Sequence, residues 1–225
     1  MSSLEILKKY LKYFIPIGIL IIILFVLVLF FSIPRVSYKY DNYSNSYSVK
    51  SVYGNAKSYK IKSSYKNKDV TSIDVRAFYK KDIKKIIFVD SNNIEKIERL
   101  AFSRCKYLSD IDISNVYYFE NNSFSYCESL KVEELNAIEI GMSSFYGCKS
   151  ITNIKLNEGL NSIGSYAFSK TSIETLDLPK SLTMIYNDAF ADMSLLKVIN
   201  VYSNKLSTDS KLYLDSLEGI EVNYL

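Results

Sequence analysis

The sequence predicts an α/β-type repeat solenoid of short parallel strands, preceded by one transmembrane helix. Three observations predict it: a Phe that returns every 21–24 residues from Phe78 to Phe190, apolar columns that keep step with it, and an uncharged run from Phe14 to Ile33. No single unit of this length can bury its own apolar columns, so copies must stack until each covers the next.

Taken in chain order, residues 1–13 open with Ser2-Ser3-Leu4-Glu5, the form of a helix start. The run that follows, residues 14–33, is twenty residues long. At about 1.5 Å per residue that length crosses about 30 Å of hydrocarbon. A cleaved signal peptide would have an apolar core of about 7–15 residues and end on small residues. Here the run ends Leu29-Phe30-Phe31-Ser32-Ile33-Pro34, so a retained anchor is expected. Lys8, Lys9 and Lys12 precede it and Arg35, Lys39 and Lys50 follow, so with the amino terminus counted the basic bias slightly favours an inside N-terminus.

Residues 34–69 carry eight Lys or Arg against two Asp, and are rich in Ser and Tyr with few aliphatic residues. So little apolar surface predicts a solvated tether, with an N-terminal cap built from its tyrosines as the alternative. The Asn42 and Asn121 triplets match the glycosylation pattern without deciding anything.

Six copies of the repeat fill residues 70–202. Their marker is Phe78, Phe102, Phe124, Phe145, Phe168 and Phe190, each preceded by Ala or Ser. Five residues earlier stand Ile73, Ile97, Phe119, Ile140, Ile163 and Ile185. After each Phe comes an aliphatic residue and then an apolar pair two apart, such as Ile154 and Leu156, which predicts a strand with one buried face. The third copy, Leu130-Lys131-Val132-Glu133-Glu134-Leu135, lacks that pair, which predicts a bulge or weak rung. Residues 203–225, with Leu212, Leu214, Leu217, Ile220 and Val222, are expected to cap the last rung.

Stretches such as Ile163-Gly164-Ser165-Tyr166-Ala167-Phe168 and Ala101-Phe102-Ser103-Arg104-Cys105-Lys106-Tyr107-Leu108 resemble the BspA-like leucine-rich repeat. Departures are Lys81, Thr171 and Met193 where a Cys is usual, and Gly after the Ile only at Gly141 and Gly164. The resemblance implies a right-handed solenoid on a microbial cell surface that adheres to a host or cell-surface protein or glycan. It also supports a cytoplasmic N-terminus with the repeats outside. The alternative is a membrane-associated scaffold that organises partner proteins.

Catalysis is not expected. The chain has no His, which removes Ser-His and Cys-His nucleophiles and His-based metal centres. Asp110 and Asp112, with Glu133 and Glu134, read as solvated strand carboxylates rather than a glycosidase pair. A calcium loop opening at Asp110 fails at Asn115 and Asn121. Cys105, Cys127 and Cys148 each fall three residues after a repeat Phe, and are expected to stack as buried free thiols rather than disulfides. No cofactor, metal or small-molecule substrate is expected, and an acidic repeat domain without a basic stripe argues against nucleic acid. The candidate ligand-binding residues are the outward strand positions Ile87, Asp110, Asp112, Lys155, Asp177 and Asn200, on what is expected to be one continuous sheet face.

Overall fold

The computed structural model describes residues 17–26, 28 and 33–225. Residues 17–26 are helical, and Ile17 and the apolar residues Ile19–Val26 are each 50–63% exposed. Among the described residues no helix is long and apolar enough to cross a membrane. Residues 14–16, 27 and 29–32 of the expected span, and all of residues 1–13, lie outside the described residues.

From Arg35 the chain winds as a single stack of rungs. Its main wall is a nine-stranded sheet. The column five residues before each Phe runs through it in parallel register, Val49 beside Ile73, then Ile97, Phe119, Ile140, Ile163 and Ile185. All seven side chains are at most 2% exposed. Parallel strands this short are stable here because every rung presents its apolar column to the one on either side.

The Phe column forms the spine. Phe78, Phe102, Phe124, Phe145 and Phe168 stack ring on ring, with centroids 4.8–5.8 Å apart and planes within 14° of parallel. Backbone bonds keep the same step: the Phe102 amide donates to the Ser123 carbonyl at 2.8 Å and the Phe145 amide to Ala167 at 2.9 Å. On either side of each Phe the chain turns through positive φ, at Arg76 and Lys80, Leu100 and Arg104, Asn122 and Tyr126, Ser143 and Gly147, Tyr166 and Lys170, Asp188 and Asp192. Only one of these twelve positions is Gly, so the turns are held against a local cost by the stacked rungs.

Residues 34–69 are not a tether; they fold as the N-terminal cap and first rung. Arg35–Asp41 and Ser46–Tyr53 form an antiparallel hairpin on the end of the main sheet, and Ser58–Lys62 pairs in parallel with Lys85–Val89. The few apolar residues suffice because the solenoid supplies the rest of their surroundings. Val49, Val52, Tyr59 and Ile61 are buried, and Tyr59 packs edge-on against Phe78 at 5.8 Å. Tyr65 stacks on Tyr38 at 4.7 Å and meets Tyr47 at 5.0 Å, which seals the outside of the cap. The repeat register therefore starts at Ser46 rather than Val70.

The strand face expected to be continuous is in three pieces. Ser58–Lys62 and Lys85–Val89 form one, extended by a single bridge from Lys85 to Asp110; Glu134–Leu135 and Lys155–Leu156 form the second; Thr175–Leu178, Val198–Val201 and Glu221–Tyr224 form the third. One break falls between Asp110 and Glu134, where the third copy sets two carboxylates between its buried residues Val132 and Leu135. The weak rung lies where the spacing placed it.

At the C-terminal end the helix Thr208–Asp215 covers the last repeat. Its side chains stand in for a missing rung: the Phe190 amide donates to the Tyr213 hydroxyl at 2.9 Å and the Ile185 amide to Ser210 Oγ at 2.8 Å. Leu214 is fully buried, whereas Leu212, expected among the capping residues, is 63% exposed because it lies on the outer face of the helix.

Candidate ligand-binding surface

Each outward residue of the second wall has a place in the stack. Ile87 is half-buried in Lys85–Val89, beside Lys60 of the first rung. Asp110 pairs with Lys85 through its carboxylate at 2.5 Å. Asp112 lies outside any strand; its Oδ1 accepts from the Ser114 amide at 2.9 Å, closing a tight local turn. Burial opposes ionisation of Asp112, but bonds from Ser114 outweigh it and hold the carboxyl below its ordinary range. Lys155 pairs with Glu134 at 3.0 Å. Glu134 is held low by Asn157 and Lys155. Asn200 donates to Asp177 at 2.8 Å, and Asn223 donates to Asn200 at 3.2 Å. The six do not converge on one site, although Lys155 and Asp177 share an open depression of about 560 Å³ with Asn157, Pro179 and Tyr202. They are spent largely on neighbouring rungs, as an amide and carboxylate ladder along the wall.

The main sheet offers a more distinct feature. Its outer face carries a groove of about 380 Å³ between Tyr118 and Glu120 at one end and Tyr186 at the other. Gly141 and Gly164 form the floor. A Cβ on Gly141 would lie 2.7 Å from the Phe119 carbonyl oxygen, and one on Gly164 only 2.6 Å from the Met142 amide nitrogen, so neighbouring backbone leaves no room for a side chain. Met142, Glu139, Ser162 and Ser165 make the sides. Of its lining, Tyr118, Met142 and Tyr186 are 39–54% exposed, large side chains the core does not use. Next to the groove, Lys96 bonds Glu120 at 3.0 Å and Glu98 at 3.1 Å. Burial disfavours its charge, yet these two bonds outweigh the burial and raise it above the ordinary value.

The groove was not expected from the sequence, in which the alternating apolar pairs lie on the strand after each Phe and the groove lies on the opposite wall. The available signal was Gly141 and Gly164, the two copies in which Gly follows the column Ile.

The thiols belong to the core. Cys105, Cys127 and Cys148 are free and buried, and each donates to the carbonyl of a Phe one rung back: Phe78 at 2.9 Å, Phe102 at 3.1 Å and Phe124 at 3.1 Å. Burial pushes the Cys105 thiol up to about 12 and raises Cys127 and Cys148 as well. Among the described residues no group of three or more His, Cys, Asp or Glu is placed to hold a metal ion.

Solved structures share this architecture at low identity. A leucine rich cell surface protein from Faecalibacterium prausnitzii superposes with a TM-score of 0.63 at 20% identity, over 76% of this chain and 55% of that one. A leucine rich repeat protein of T. pallidum gives 0.54 at 18% identity, over 84% and 79%. The pneumococcal vaccine antigen PcpA gives 0.54 at 20%, over 79% and 50%. The chain thus spans about half the length of the first and third of these proteins. No curated protein matches the sequence. The profile of the BspA type leucine rich repeat region does match, in six copies over residues 50–138 and 133–222, and its start at residue 50 agrees with a first rung inside the cap. The chain belongs to the BspA-type leucine-rich repeat family.

Proposed function

We propose that this chain is a membrane-anchored surface protein whose solenoid binds a protein or glycan at the cell surface without catalysing a reaction. The observation that carries the reading is the groove on the main sheet, where exposed Tyr118, Met142 and Tyr186 surround a floor of two obligatory glycines. Large aromatic and Met side chains at a shallow, partly polar depression are the residues that anchor protein partners, and Tyr rings also stack on sugars. Membership of a surface-type repeat family supports this class of function. The uncharged run from Phe14 to Ile33 supports a retained anchor, with the N-terminus in the cytoplasm and the repeats outside. The second wall around Lys155, Asp177 and Asn200 is the next candidate surface.

Cells displaying the full chain test the reading, by adhesion to immobilised matrix proteins and glycans. Replacing Tyr118, Met142 and Tyr186 together by Ala should abolish adhesion while leaving display and thermal unfolding unchanged; adhesion equal to wild type would move the site off the groove. A second reading, a scaffold facing the cytoplasm, draws on one observation: Arg35, Lys39 and Lys50 after the run match Lys8, Lys9 and Lys12 before it. Protease treatment of intact cells separates the two, because a cytoplasmic domain survives until lysis.

A further inference from the structure

A solenoid turns order along the sequence into position along its axis, so a charge bias between two parts of the chain becomes a bias between two ends of the molecule. Residues 34–107, the cap and the repeats next to it, carry seventeen Lys and Arg against seven Asp and Glu, a net of +10. Residues 108–225 carry eight against sixteen, a net of −8. Ion pairs form in both parts, at the basic end through Lys39, Lys85 and Lys96. At the acidic end four of the eight lysines sit on a carboxylate of the next rung: Lys149 on Glu128, Lys155 on Glu134, Lys170 on Asp192 and Lys197 on Glu174, at 2.9–3.7 Å. At the basic end Lys50, Lys57, Lys60, Lys62 and Lys66 are all exposed. None of the five lies within ion-pair distance of a carboxylate among the described residues.

The fold gains nothing from this arrangement, since like charges gathered at one end repel and raise the free energy of the compact state. An external anion relieves them. The basic end is also where the apolar residues lead in: Ile33 lies two residues before the first strand, and the helical residues 17–26 expose Ile, Leu, Phe and Val. We propose that the basic end of the solenoid docks on the phosphate headgroups of an anionic bilayer, so that the domain stands on the membrane with its acidic end directed away. This rests on the membrane anchoring proposed above. At physiological salt the Debye length is about 8 Å, so with rungs about 4.8 Å apart only the cap and the first rungs feel the surface. That is the part of the chain where Lys50, Lys57, Lys60, Lys62 and Lys66 are gathered without an excess of carboxylates.

The full chain is reconstituted into vesicles of phosphatidylcholine, with and without phosphatidylglycerol, and lysine acetylation rates are read by mass spectrometry. Lys180, Lys205 and Lys211 at the acidic end serve as internal references. Docking predicts that Lys57, Lys60, Lys62 and Lys66 react several-fold more slowly on the anionic vesicles at low salt, that high salt removes the difference, and that the references do not change. The variant with Lys60→Glu and Lys62→Glu should lose most of the protection and keep the wild-type unfolding temperature. Equal rates on both vesicles, or protection that appears without vesicles and grows with protein concentration, overturns the proposal; the latter indicates head-to-tail pairing of opposite ends. Flotation with neutral vesicles reads the anchor separately. A chain that does not float with them fails as an anchored protein, and it still supports docking if it floats with the anionic ones.

Discussion

The ring of Phe102 lies almost parallel to that of Phe124, 5.0 Å centroid to centroid and tilted by 6°, and the amide of Phe102 donates to the carbonyl of the residue just before Phe124. Side-chain stack and backbone ladder therefore advance by the same step, so a lost ring cannot be replaced without breaking the ladder. Phe145→Ala and Phe168→Ala should each cost about 3–5 kcal/mol, the range for a cavity in a core that cannot collapse. Urea unfolding checks this; midpoints like wild type would refute the register.

Ser123 is the contrary case. Its hydroxyl is buried with no hydrogen-bond partner, at a column position held by Ala77, Ala101, Ala167 and Ala189 in other copies. Ser123→Ala should stabilise by about 1 kcal/mol, because an unsatisfied buried hydroxyl carries a desolvation cost with no return. A lower urea midpoint would show that the hydroxyl has a partner after all.

The thiols give a pH dependence. Burial raises Cys105 from an ordinary 9.0 to about 12 and also raises Cys127 and Cys148. A raised pKa on a group that is neutral when protonated means the unfolded chain releases its proton first. The stabilisation is fully present below pH 9 and falls as pH climbs from there towards the folded value, by up to about 1.4 kcal/mol per pH unit per thiol. The triple variant with all three Cys changed to Ala should show a shallower fall between pH 9 and 11, and native protein should label with a thiol reagent only after denaturation. Parallel stability curves would sink the argument.

The C-terminal cap rests on two hydroxyls. Tyr213→Phe leaves the Phe190 amide without its acceptor, at a cost of about 1–3 kcal/mol. Hydrogen exchange at Phe190 should accelerate while exchange at Phe102 does not. Equal protection at Phe190 in both proteins would mean that another group accepts this bond.

Reversing charge at Lys155 and Asp177 is a poor probe of binding, because both side chains are committed to neighbouring rungs. Asp177 accepts from Asn200, and Lys155 is paired with Glu134, so Asp177→Lys and Lys155→Glu set like charges or donors against each other along the wall. The pair of changes should lower the unfolding temperature before any ligand is considered. Thermal unfolding of the variant reads this directly.

The spine was legible because the repeat imposes one environment on each column: Phe78 to Phe190, the Ile column and the thiols can be placed from spacing alone. The weak third rung was legible too, from Glu133 and Glu134 standing where one outward residue belongs. The cap was not. Composition judged residues 34–69 by their own apolar content, whereas Val49 and Ile61 are buried by the neighbouring rung, which no window on the segment contains. The groove escaped for a related reason. Gly141 and Gly164 matter through the backbone of the rung beside them, at Phe119 and Met142, and only the stacked structure brings these together.

The break in the second wall between Asp110 and Glu134 has a mechanical meaning. Hydrogen bonds between rungs point along the axis of the stack, so a load applied between its two ends pulls rungs apart like coils of a spring. Most junctions are laced on two sides. The junction before Glu134, like the one between Leu156 and Thr175, has no strand pairing on the second wall and is held by the main sheet and the ladder along the Phe column, which makes these two the coils that open first under tension and the points about which the rod flexes when pushed sideways. Force spectroscopy on the tethered chain should show its earliest extension there, with the cap and the C-terminal repeats still wound.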